Sequence, residues 1–197
     1  MSENPNASFS SVFLDKNPPA DPQIEELLQW CKKIAGTNAA GNLSFRTKMG
    51  FIITGNSIPL ANMTKDTVVE VRGVVFGLNR PSIYAKGAAA PAEETLIHSV
   101  IYEGFPETNA IFFLTSPDIL ASAERTGLPV AEADQPGWSQ AFAQEAVNLL
   151  KINNNSPALI LKKRGVIIPG ETTAGVGKKT EEILQKIAGS KAKTGKK

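Results

Sequence analysis

Residues 91–115, PAEETLIHSVIYEGFPETNAIFFLT, decide how the rest of the chain is read, because they form a helix, a tight turn and a buried strand in direct succession. Leu96, Ile97, Val100 and Ile101 recur at one-, three- and four-residue spacings and give the helix an apolar face. Glu94, His98 and Tyr102 fall four residues apart on a different face, so a carboxylate, an imidazole and a phenol share one stripe. Gly104 and Pro106 stop the helix, and residues 110–114 follow as a strand that is apolar on both faces. The stripe is therefore expected to point towards a site at the end of that strand.

Upstream, Asp21 followed by Pro22 opens an amphipathic helix through Ile24, Leu27, Leu28, Cys31 and Ile34, closed by Gly36. Residues 42–46 alternate polar and apolar, and residues 51–53 follow the turn residue Gly50, which predicts a hairpin. Thr64 is expected to cap a short helix before a strand over 68–71, with Arg72-Gly73 turning the chain into 74–76. Residues 79–91, rich in Gly, Ala and Pro, read as a long surface connection. Downstream, Ser116 caps a helix begun by Pro117, residues 137–150 supply another, and residues 158–161 and 166–168 make a second hairpin. A last helix contains residues 180–187. Helices punctuating hairpins predict an α/β fold with a mixed, mostly antiparallel sheet covered on both faces. The divisions expected are a flexible arm over 1–20, one domain over 21–188 and a lysine-rich disordered tail over 189–197.

The chain has 197 residues, enough for one domain with a sizeable core. Its formal charge of +2 includes Lys191, Lys193, Lys196 and Lys197; without them the body is slightly acidic, which argues against a nucleic-acid-binding surface. No run approaches the roughly 20 apolar residues that span a bilayer, and the N-terminal segment has no apolar stretch, so a cytoplasmic protein without membrane partners is expected. A single cysteine, Cys31, allows no intrachain disulfide and reads as a buried helix residue. With one His and one Cys, a three-histidine zinc centre cannot be built within one subunit. GETTAGVGKKT (170–180) misses the phosphate-binding P-loop, which would need Gly at Thr172 and Ser or Thr at Lys179. Gly41-Asn42-Leu43-Ser44 and Thr54-Gly55-Asn56-Ser57 read as polar turns able to cradle an anion, although ordinary turn chemistry explains either one alone.

Taken together in order, Gly41-Asn42-Leu43-Ser44, residues 50–54, Ile58-Pro59, Met63-Thr64, Glu94-x-x-x-His98 and Asn109-Ala110-Ile111 resemble the class II aldolase/adducin head-domain family over residues 24–187. The resemblance implies a three-layer α/β/α sandwich, commonly a homotetramer. It implies either a zinc-dependent lyase or epimerase acting on sugar phosphates, or a non-catalytic adducin-like interaction module. By position, Glu94 matches the catalytic acid/base carboxylate, while Asn42, Thr54, Gly55, Asn56 and Ser57 match the region that binds the substrate's phosphate. The family's zinc-binding histidines fall here at Phe113, Thr115 and Arg164. Paired serines that help hold phosphate become Ala92 and Glu93, and a carboxylate there repels an anion.

The resulting expectation is a degenerate family member with no cofactor, serving as a homo-oligomeric interaction module or binding a small phosphorylated or carbonyl ligand. The alternative is an active aldolase or epimerase that uses Glu94 with a non-standard electrophile, Arg164 or a differently ligated zinc or other divalent ion.

Overall fold

A computed structural model describes residues 9–77, 80–122, 126–132, 138–153 and 156–194, the last six as backbone only. Nine strands among them form one sheet in the order β1-β5-β4-β3-β2-β6-β9-β8-β7. They are β1 (Ser10–Asp15), β2 (Ala40–Thr47), β3 (Gly50–Thr54), β4 (Val68–Val75), β5 (Ser82–Lys86), β6 (Ala110–Thr115), β7 (Val130–Ala131), β8 (Leu159–Leu161) and β9 (Gly165–Gly170). Only β1/β5 and β7/β8 pair in parallel. Helices α1 (Ile24–Ala35), α2 (Thr95–Gly104), α3 (Pro117–Ser122), α4 (Gln140–Ile152) and α5 (Thr173–Thr194) cover the sheet. The result is a three-layer α/β/α sandwich around a mixed, mostly antiparallel sheet.

Two cores follow from the two-residue period of the strands. In β6, Ile111 and Phe113 join Leu96, Ile97, Val100 and Phe142 on the α2/α4 face. Ala110, Phe112 and Leu114 join Leu27, Cys31, Ile34 and Ile183 on the opposite, α1/α5 face. The central strand is thus buried on both sides. Cys31 is fully buried, and burial pushes its thiol pKa up to about 12, so it is no nucleophile at neutral pH.

Local signals set the element ends. Ile119 N–H donates to Ser116 Oγ (3.1 Å) and Phe142 N–H to Ser139 Oγ (3.2 Å), each satisfying a first-turn donor. Thr64 N–H donates to Thr67 Oγ1 (2.8 Å) around the 3₁₀ turn Lys65–Thr67. Asp21 Oδ1 accepts from Gln23 N–H (2.9 Å), so Asp21-Pro22 forms the turn that leads into α1.

Several sequence expectations need correction. Residues 10–15 of the expected loose arm form β1, because parallel pairing with β5 satisfies their backbone. Residues 79–91 contain β5, whose SIYAK alternates buried Ile83 and Ala85 with more exposed positions. Arg72-Gly73 makes no turn: β4 runs on to Val75, and its register against β5 shifts between Val71 and Gly73, a bulge. The segment Gly41-Asn42-Leu43-Ser44 is likewise strand rather than turn. Past the expected tail boundary, the α5 backbone stays helical to Thr194. Residues 1–8, 195–197 and Gly137, the expected start of α4, lie outside the described residues.

Candidate functional site

Strand β2 and helix α2 lie face to face, and their polar residues meet in rungs. Two strand residues advance about 6.7 Å and four helix residues about 6 Å, so positions 42, 44 and 46 keep step with 94, 98 and 102. Asn42 Nδ2 donates to Glu94 Oε2 at 2.6 Å. Ser44 Oγ bonds both His98 Nδ1 and Tyr102 OH at 2.8 Å. The Arg46 guanidinium lies over the Tyr102 ring, 4.8 Å from its centroid, and Nη2 donates to the carbonyls of Tyr102 (2.8 Å) and Phe105 (3.1 Å), closing the C-terminal end of α2.

The rungs differ in environment. His98 is fully buried, Nε2 has no partner, and burial holds the imidazole pKa at about 3. Burial also raises the Tyr102 phenol pKa. His98 and Tyr102 are therefore neutral interior groups that tie the strand to the helix. The first rung opens on a cleft: Asn42 and Glu94, with Asn56, Ser57, Phe113 and Thr115, line a hollow of about 320 Å³ at the end of β6.

Desolvation raises the Glu94 carboxyl pKa and Glu93 adds to the rise. Its own backbone N–H, the Asn42 amide and the charge of Arg164 oppose this without cancelling it. A carboxyl so tuned, held by an amide at the mouth of a cleft, is suited to giving and taking a proton.

The 55–57 turn closes the other wall. Gly55 N–H donates to Thr67 O and Asn56 N–H to Ala90 O, both at 2.8 Å, which pins the turn against the segment that leads into α2. A Cβ at residue 55 would stand 2.5 Å from Thr67 O, so only glycine fits. Thr54, fully buried, spends its Oγ1 on Leu43 N–H (3.2 Å) and does not line the cleft. A larger hollow of about 510 Å³ lies near the start of α5, beside Glu107, Glu171, Thr172 and Lys179. None of its described lining residues carries a buried polar atom left without a partner, as Asn42 does in the smaller cleft, which is therefore the candidate site.

The positions expected to mark a metal centre hold something else. Phe113 is 2% exposed and meets Trp138 edge to face, with centroids 5.5 Å apart. Arg164 lies over Trp138 and Phe142, its Cζ 4.6 and 4.9 Å from the ring centroids. Desolvation lowers the Arg164 pKa, with the Glu94 charge opposing the shift.

The model of the class II aldolase and adducin N-terminal domain matches residues 26–186. The chain belongs to that family. Similar solved structures include YgbL from Escherichia coli (TM-score 0.65, 19% identity, covering 83% of this chain and 86% of that one). L-fuculose-1-phosphate aldolase from Thermus thermophilus matches at TM-score 0.65 and 17% identity, covering 88% and 97%. A sugar-phosphate aldolase from Thermotoga maritima matches at 0.63 and 16%, covering 84% and 94%. No curated protein matches the chain in sequence. At these identities the likeness extends to the fold.

Class II aldolases typically use zinc, and the side chains present do not fit it. A phenyl ring, one hydroxyl and a guanidinium offer no zinc donor set, and His98 is turned into the β2/α2 interface. Among the described residues no group of three or more His, Cys, Asp or Glu could hold a metal. Nor is any described helix long and apolar enough to cross a membrane.

The Glu94, His98 and Tyr102 stripe was visible in the sequence, but its partners Ser44 and Arg46 and the Trp138 platform were not. A polar two-residue period at 42, 44 and 46 opposite a polar four-residue period is the signal that could have found the first two.

His98 makes acid stability measurable. Its native pKa of about 3 lies below the unfolded value near 6.5. The unfolded chain therefore binds the extra proton, and the associated stability, complete above that value, is lost as pH falls towards about 3. Glu94, with its raised pKa, acts in the opposite sense. In urea unfolding between pH 7.5 and 4.5, His98→Asn, which retains an amide atom near the Nδ1 position, should show a flatter acid decline than the parent chain.

Proposed function

We propose that this class II aldolase family member has lost the zinc site and that its cleft binds a small ligand between Asn42, Glu94 and the 55–57 turn. The observation that carries this reading is Phe113 packed against Trp138, with Arg164 stacked beside it, at two of the three positions that the resemblance assigns to metal ligands. We further propose a cytoplasmic protein that works as a homo-oligomer, by family resemblance most simply a tetramer. An adducin-like interaction role would use the same assembly. Elemental analysis of the purified protein should find less than one zinc per chain; stoichiometric zinc that is displaced by Glu94→Gln would defeat the proposal. Light scattering should give a mass above that of one chain.

A second reading is favoured by the desolvated Glu94 carboxyl facing the cleft. The protein would then be a lyase or epimerase on a sugar phosphate or related carbonyl compound, with Glu94 as acid/base. Arg164, whose charge reaches Glu94, would provide electrostatic support. Phosphate would sit at Asn42, Asn56 and Ser57. In a screen against such compounds, Glu94→Gln should lower any turnover about 100-fold or more, the usual worth of a general acid/base. Unchanged turnover would remove Glu94 from that role.

A further inference from the structure

The chemical class of the ligand follows from which hydrogen-bonding atoms the cleft has left to give. Its wall offers acceptors. Glu94 presents its carboxylate, and Asn42, 3% exposed, commits Nδ2 to Glu94 while its Oδ1 is buried without a partner. Two backbone donors that could hold an anion are already used, since Gly55 N–H bonds Thr67 O and Asn56 N–H bonds Ala90 O.

No Lys, Arg or His is among the described residues that line the cleft. Arg164 lies on Trp138 and Phe142 instead, and its charge acts on Glu94. The charges of Glu94 and Arg164 offset one another, so the cleft has no net charge to repay the desolvation of either a phosphate dianion or an ammonium. Hydroxyl groups can donate to Asn42 Oδ1 and Glu94 and accept from the Asn56 and Ser57 side chains. Ile58 and Pro59 supply an apolar wall for C–H surfaces.

On the small-ligand reading above, we propose that the cleft binds an uncharged, polyhydroxylated small molecule, a free aldose, ketose or polyol, in preference to its phosphate ester. Asn42 Oδ1 and Glu94 are the acceptors that select it. The ester loses because it adds charge where the cleft supplies no compensating group.

The test uses the full-length protein in chelator-treated buffer. Saturation-transfer NMR, followed by calorimetry, compares free three- to six-carbon sugars and polyols with their phosphate monoesters, amino-sugar counterparts and inorganic phosphate. At least one neutral compound should bind about tenfold tighter than its ester and its amine, and Asn42→Ala or Glu94→Gln should each weaken it about tenfold. Glu94→Gln keeps the side-chain shape and guards against an unfolded Asn42 variant. An ester or amine that binds more tightly than its parent and responds to these substitutions overturns the inference while leaving the ligand-binding reading standing. If no compound's binding responds to either residue, both are overturned.

Discussion

Gly41→Ala is expected to destabilise the protein by about 3–5 kcal/mol, enough to unfold a domain of ordinary stability or bring it close to unfolding. Gly41 has φ +151, and a Cβ there would stand 1.9 Å from the Phe113 carbonyl oxygen across the β2/β6 pairing. Strand β6 cannot retreat, because on its other side Gly165, at φ +156, leaves only 2.2 Å between its own Cβ position and Leu114 O. A glycine on each flank thus fits the central strand to its neighbours. Gly127→Ala is the control, for Gly127 also has positive φ, +69, but nothing lies within 4 Å of its Cβ position. That change should cost about 1 kcal/mol, the conformational part alone. Urea unfolding of the two variants separates clash from conformation, and equal losses would refute the steric account.

Ser44→Ala should cost about 2–6 kcal/mol although it removes one oxygen atom. Ser44 Oγ is the shared partner of His98 Nδ1 and Tyr102 OH, and both residues are buried. Removing the hydroxyl leaves two interior polar groups unsatisfied, at about 1–3 kcal/mol each. Adding Tyr102→Phe deletes one of those orphans, so the double variant should be less destabilised than the sum of the two single changes. Strict additivity would mean that the three groups do not act as a network.

Much of the architecture could be read from the chain because its strongest elements obey one periodicity each. Strand β6 is apolar at every position from Ala110 to Leu114 and fits only a strand covered on both faces. Helices α3 and α4 begin at Ser caps, and the β8/β9 hairpin turns at Lys163, φ +61, and Gly165. What escaped was stabilised at a distance. β1 is an edge strand whose partner β5 lies about 70 residues further on, and β7 has two residues, too few for a pattern.

The order of motifs singled out Glu94 and Asn42, which share a hydrogen bond at the cleft, but not how donors are allotted. Thr54 looks like a cleft residue in sequence yet serves the Leu43 backbone. Trp138 stands apart from every motif and reaches Phe113 only through the packing of α4 on the sheet.

The matched advance of β2 and α2 also determines what changes of length this part of the chain can absorb. One residue inserted within β2 would turn Asn42, Ser44 and Arg46 towards α1 and drive Leu43 and Phe45 against the polar side of α2. One residue inserted within α2 would swing His98 and Tyr102 about 100° away from their partners. Either slip leaves buried polar groups facing hydrocarbon, so the hydrogen-bonded rungs act as a register lock on the centre of the sheet. An added residue leaves both periods intact only in the connections, such as residues 48–49 and 87–93.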